Sequence, residues 1–195
     1  MRYQLGETHW DIGAVSTPLK TYFEQLNKKN ISILIPGCGN AYEASWLLKN
    51  GFSNITILDI SPLLTEKLKK SFAGETDKAT HIVTGDFFRH SGQYELIVEQ
   101  TFFCALDPDL RGEYVKKMHS LLMPGGKLAG VLFNRSFAGG PPYGGSKQEY
   151  EQLFSPYFTI RTLSICTNSI KPREGTELFF ILQKESAEVS IQLKK

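Results

Sequence analysis

The sequence offers its plainest chemistry at two glycines and two carboxylates. Pro36-Gly37-Cys38-Gly39 follows the aliphatic run Ile31-Ser32-Ile33-Leu34-Ile35, and glycines in that place let a ligand come close to the backbone where a side chain would hold it away. Asp59 ends the next apolar run, roughly 20 residues on, where a carboxylate over the edge of a parallel sheet accepts hydrogen bonds from ribose hydroxyls. Asp86 closes a third apolar run and is followed by Phe87, a pair suited to an exocyclic amine and the face of an adenine ring. Taken singly, each has an ordinary reading: a tight turn, a helix cap, a turn Asp beside a core Phe. Three matching strand ends favour a ligand that contains adenosine.

These groups meet only if the elements around them place them on one edge. Ile31 to Ile35 reads as a strand buried on both faces, stopped by Pro36 and the glycines. Ala41 to Leu48 reads as a helix with Asn40 as its N-cap, so that strand, glycine turn and helix start fall in line, as in sheets that bind ligands at helix N-termini. Gly51 closes that helix, and Asn54 to Asp59 is the second strand. Ser61 and Pro62 cap and open a helix through Leu63, Leu64, Leu68 and Phe72. Thr80 to Thr84 and Tyr94 to Glu99 are the third and fourth strands, the latter ending at Gln100. Asp109 to Leu122 is helical, Met123-Pro124-Gly125-Gly126 stops it, and Lys127 to Phe133 is the fifth strand.

A helix before the first strand spans Leu19 to Leu26 after Thr17-Pro18, with Tyr22, Phe23 and Leu26 on one side. Residues 134–146 carry Gly139-Gly140-Pro141-Pro142-Tyr143-Gly144-Gly145 and read as a long binding or lid loop. Lys147 to Phe154 is a further helix, and Tyr157 to Ile165 and Thr176 to Gln183 are two final antiparallel strands. The expected fold is α/β: a Rossmann-like, doubly wound, seven-stranded sheet, mostly parallel with an antiparallel C-terminal strand pair. One domain is expected over 1–195, with residues 1–18 as an N-terminal cover, 134–146 as a loop on the substrate side and 184–195 as a charged tail.

Bulk properties narrow the function. A net charge of +2 over 195 residues, with basic pairs scattered through helical stretches, speaks against nucleic-acid binding. The three cysteines, Cys38, Cys104 and Cys166, show no C-x-x-C spacing and no histidine at ligand spacing, which argues for a reducing compartment and against structural zinc. The sequence has no apolar run long enough to cross a bilayer, so a cytoplasmic protein without membrane partners, and a monomer, is expected. Of the adenosine cofactors, the dinucleotides are disfavoured because the third glycine of G-x-G-x-x-G is replaced by Tyr42. S-adenosylmethionine is favoured.

The parallel sheet closed by an antiparallel pair, with Leu122-Met123-Pro124-Gly125-Gly126-Lys127-Leu128 before its fifth strand, resembles the class I S-adenosylmethionine-dependent methyltransferases. Trp10-Asp11, Pro36-Gly37-Cys38-Gly39, Asp59-Ile60-Ser61, Phe102-Phe103-Cys104-Ala105-Leu106-Asp107-Pro108 and Gly139-Gly140-Pro141-Pro142-Tyr143 narrow this to a resemblance with the thiopurine S-methyltransferase superfamily, closest to its halide and thiol methyltransferase branch. The resemblance implies that Trp10, Gly37, Cys38, Gly39, Asp59, Ile60, Asp86, Phe87, Glu99 and Gln100 bind S-adenosylmethionine and release S-adenosylhomocysteine. It implies a small acceptor: a thiol, sulfide, halide, thiocyanate or thiopurine-like heterocycle.

Placement after the fourth strand and in the long loop puts Phe102, Phe103, Cys104, Pro142 and Tyr143, together with Trp10, around that acceptor. Cys104 is read as a wall residue, since nothing beside it in sequence lowers its pKa. His9 and Asp11 are the nearby candidates for a general base, with Tyr143 as an orienting hydroxyl. No metal is required. The rival functions are a nicotinamide-dependent oxidoreductase and a cofactor-binding interaction module without turnover.

Overall fold

The computed structural model describes residues 11–73 and 79–186. Chain order gives helix α1 (Thr17–Glu24), β1 (Ile33–Pro36), α2 (Tyr42–Lys49), β2 (Ile55–Asp59), α3 (Pro62–Ser71), β3 (Thr80–Thr84), β4 (Tyr94–Gln100), the short α4 (Phe102–Ala105), α5 (Arg111–Leu121), β5 (Leu122–Phe133), α6 (Lys147–Phe154), β6 (Thr159–Ile165) and β7 (Glu177–Gln183). The strands form one seven-stranded sheet in the order β3-β2-β1-β4-β5-β7-β6. Pairings from β3 through β5 are parallel, and β7 runs antiparallel to both β5 and β6. This is the expected architecture.

The order reverses between β1 and β4, the switch point beyond whose carboxyl ends a crevice opens in such sheets. Alternation along β1 shows how the core is divided. Ile33 and Ile35 pack with Leu19, Phe23, Ala44 and Leu47 on one face. Leu34 packs with Ile97, Tyr114, Met118 and Leu128 on the other. Burial on both faces explains why the strand is nearly all aliphatic.

Local chemistry fixes several boundaries. Ser61 caps α3 by accepting from Leu64 N, with proline in the first turn, as its sequence predicts. Gly51, with φ +84°, follows the end of α2. Two boundaries differ from expectation. Asn40 does not cap α2: the capping position is Ala41, held in the left-handed region at φ 56° without a side-chain bond. Positive φ at Gly37, Gly39 and Ala41 tightens the turn, so the helix starts one residue later and Asn40 is free for other partners. Met123-Pro124-Gly125-Gly126 does not separate helix from strand either. It forms an irregular excursion inside β5, where the partners of Tyr94 and Leu96 jump from Leu122 to Lys127 and Gly125 N donates to Lys184 O at 3.0 Å. Among the described residues, no helix is long and apolar enough to cross a membrane.

Candidate functional site

A cavity of about 440 Å³ opens at the switch point. Its floor is the glycine turn Gly37-Cys38-Gly39, and its flanks are the ends of β2 and β3 at Asp59-Ile60 and Asp86-Phe87. The far wall comes from Gln100, Phe102, Ala105 and Leu106 after β4, Phe133 at the end of β5, and Pro141 and Pro142 of the long loop. Asp11, Ile12 and Ala14 close it from the N-terminal side.

Asp59 sits half-buried where β2 ends, and its Oδ1 accepts from Ser61 N at 2.9 Å. Burial raises its carboxyl pKa against the opposing pull of the backbone N–H groups of Ser61, Gly39 and Ile60. Those donors fix the carboxylate at the cavity edge. Asp86 Oδ1 accepts from Phe88 N at 2.9 Å and so caps a short 3-10 turn over Phe87–Arg89. Capping and ligand contact are compatible, because a carboxylate has several acceptor positions. Phe87 is buried, with its ring edge-on to Phe102 at 5.1 Å between centroids.

Gly37 has a role that sequence alone did not reveal. Its φ is +58°, and a Cβ there would overlap the Phe102 ring. The space over this glycine is filled by a wall residue arriving from β4, so the glycine serves the packing of two cavity walls on each other. Cys38 is buried, and burial together with the Asp59 charge pushes its thiol far above the usual range, leaving it without nucleophilic character.

Several expected site residues stand behind the wall. Glu99 is fully buried, and its Oε1 accepts from Phe103 N at 2.9 Å. Phe103 and Cys104 are likewise 0% exposed: α4 turns them toward the core, where Phe103 meets Tyr114 edge-on at 5.0 Å. The Cys104 thiol is pushed up to about 12 by burial and by Glu99. Tyr143 donates its N–H to Cys104 O at 2.6 Å and lays its ring against Gly140, backing the prolines that line the cavity. His9 and Trp10 lie outside the described residues.

Asp11 lines the cavity, and its carboxylate is engaged. Oδ1 accepts from Gly13 N at 2.8 Å, and Oδ2 from the side-chain amide of Asn40 and from Tyr42 Oη at 3.4 Å. Lys67 Nζ donates to the other end of Asn40 at 3.2 Å. Glu43, raised in pKa by burial, accepts from Ser16 N at 3.1 Å and ties α1 to α2.

Asn40, Tyr42, Thr101, Ala105, Leu106 and Phe133 belong to the lining without having been named as site residues from sequence. Phe133, as the last residue of a core strand, carried the same strand-end signal as Asp59 and Asp86. The left-handed conformation of Thr101, φ +61°, had no signal, since glycine or asparagine usually marks such a place.

Comparison with known proteins gives the family and the fold. The profile of the family described as Thiopurine S-methyltransferase (TPMT) matches residues 1–186. A probable thiol methyltransferase 2 of Arabidopsis thaliana is 33% identical over 183 residues, covering 90% of this chain and 79% of that protein. Thiocyanate methyltransferase 1 of Brassica oleracea is 32% identical, over 88% of this chain and 78% of its own. Among solved structures, the 1,6-didemethyltoxoflavin-N1-methyltransferase of Burkholderia thailandensis, with bound 1,6-didemethyltoxoflavin and S-adenosylhomocysteine, superposes with a TM-score of 0.74 at 18% identity, over 95% of this chain and 84% of that one. At that identity the likeness is one of fold.

Proposed function

Because this chain belongs to the thiopurine S-methyltransferase family, we propose that the cavity at the switch point binds S-adenosylmethionine beside a small, soft nucleophile and that the chain transfers the methyl group between them. The observation that carries this is the pairing of two carboxylates, Asp59 and Asp86, with an otherwise largely apolar cavity on one sheet edge. That donor set fits the group: carboxylates accept from ribose hydroxyls and from an adenine amine, and Ile60 and Phe87 offer apolar surface to the ring. When bound, S-adenosylmethionine supplies a methyl group on a sulfonium cation, open to in-line displacement.

The chain's own residues align and dry the site. Phe102, Ala105, Leu106, Phe133, Pro141 and Pro142 bring no formal charge to the far wall, so an anionic acceptor entering there sheds water and gains reactivity toward a cation. The buried thiols Cys38 and Cys104 stay protonated and out of the reaction. Asp11, a carboxylate in the cavity lining, is committed to Asn40, Tyr42 and Gly13, so it holds residues 11–14 on the glycine turn rather than serving as a base. Among the described residues the far wall brings no base, which suits an acceptor that is already ionised: hydrosulfide, a thiolate, thiocyanate or a halide.

The test is an acceptor panel. S-adenosylhomocysteine formation from S-adenosylmethionine is followed with hydrosulfide, thiocyanate, iodide, an aromatic thiol and a thiopurine. Turnover on the small anions, rising with the ionised fraction of the thiols, supports the reading. No turnover on any of the five would overturn it.

A further inference from the structure

Building on the proposed site, we infer that Glu99, which does not reach the cavity, is a positioning residue for the acceptor wall: it holds the start of α4, and α4 in turn holds the loop that carries Pro141 and Pro142.

The connection can be followed atom by atom. After β4 the chain turns sharply at Thr101, φ +61°, which brings Phe103 N back to Glu99 Oε1 at 2.9 Å. The N–H groups of a first helical turn have no partner within their own helix, so for one turn as short as α4 this side chain supplies what the helix cannot. At the other end of the same turn, Cys104 O accepts Tyr143 N at 2.6 Å. Residues 99, 103, 104 and 143 thus form a continuous chain of bonds from a core strand to the loop, with Phe102, Ala105, Leu106, Pro141 and Pro142 facing the cavity from it.

The fold makes room for this acid. Across the parallel ladder Glu99 pairs with Gly130, and a Cβ at that glycine would stand 2.7 Å from Glu99 Cβ. Glu99 Oε2 and the Tyr114 hydroxyl have no hydrogen-bond partner among the described residues. Among the described residues, Cys104 on α4, Tyr114 on α5 and Tyr150 on α6 are the titratable groups coupled to it, and the Arg111 and Arg173 guanidinium groups act on Cys104 beside it. Burial raises the Glu99 pKa to about 8, which favours the neutral acid, and either form accepts through Oε1. Glutamine reproduces that oxygen in the same shape, whereas alanine removes it and leaves Phe103 N unpaired in the core.

The experiment compares wild type, Glu99→Ala and Glu99→Gln, with Glu99→Met replacing the alanine variant if that one does not fold. Three quantities are read: the S-adenosylhomocysteine Kd by calorimetry, the KM for hydrosulfide, and hydrogen exchange at the Phe103 and Tyr143 amides. Loss of the acceptor oxygen should raise KM at least about five-fold, leave Kd within about three-fold and speed exchange at both amides, because a misplaced wall costs alignment rather than cofactor contacts. Glutamine should restore all three toward wild type. Unchanged KM and exchange in the alanine or methionine variant would overturn the inference, as would a parallel loss of Kd or no rescue by a folded glutamine variant. A wild type that neither binds S-adenosylhomocysteine nor methylates hydrosulfide would mark failure of the proposed function instead. Amide exchange at 103 and 143 would then decide on its own whether Glu99 holds the loop, with unchanged exchange refuting it.

Discussion

The proposed cofactor side of the cavity is assembled from residues that each follow their own strand: the glycine turn after β1, Asp59 at the end of β2 and Asp86 after β3. The proposed acceptor side is assembled from residues that reach across the chain. Arg111 donates to Gly144 O at 2.6 Å and pairs with Glu149, its guanidinium lies 4.9 Å from the Phe103 ring centre, and Cys104 receives Tyr143. One side therefore depends on local backbone geometry, and the other on a few long-range bonds. Changes on the first side should be read in cofactor affinity, and changes on the second in acceptor use.

Gly37 is where this division should break first. It belongs to the cofactor side by sequence, yet Phe102 of the acceptor side occupies the space above it. Gly37→Ala meets both a positive φ and an occupied volume, so it should weaken S-adenosylhomocysteine binding by at least about 100-fold and disturb acceptor use together. Titration calorimetry and methyl-transfer kinetics on the same preparation check this. An effect on affinity alone would mean that the two walls are independent.

Arg111→Ala sharpens the division. It releases Gly144 O, Glu149 and the stacking on Phe103, so KM for a small thiol should rise about ten-fold while S-adenosylhomocysteine affinity stays within about three-fold. Comparable losses in both would erase the distinction between the sides.

A different kind of effect concerns pH. The Glu99 pKa is raised from 4.5 to about 8 in the folded chain. Its stabilising contribution is thus fully present below the unfolded value and is lost as pH rises through the interval up to about 8. Glu99→Gln lacks this dependence. Its melting temperature relative to wild type should climb across that interval and level off above it, as thermal melts at several pH values would show. A constant difference would mean that Glu99 is ionised throughout.

What could be read from the sequence follows the same division. The strands, the Ser61 cap and the seven-stranded, mostly parallel sheet with its antiparallel end were legible because apolar runs, Ser61-Pro62 and Gly51 act within a few residues of themselves. Asp59 and Asp86 were legible as strand ends. Phe103, Cys104 and Tyr143 were expected to face the acceptor, but α4 turns the first two into the core and the third backs the loop. That outcome depends on a left-handed Thr101 and on a backbone bond between residues 104 and 143, neither of which leaves a mark in composition or spacing. Asn40 looked like a cap and became a tether for Asp11, because the turn before α2 closed one residue later than its residue types suggested.

The central claim is that Asp59 and the glycine turn hold the adenosine of S-adenosylmethionine. Its most direct test is titration calorimetry of wild type and Asp59→Ala with S-adenosylhomocysteine, with NAD titrated under the same conditions. The account predicts saturable one-to-one binding of S-adenosylhomocysteine to wild type, at least about ten-fold weaker binding to the variant, and no binding of NAD. Equal affinity in the two proteins, or NAD bound in place of S-adenosylhomocysteine, would contradict it.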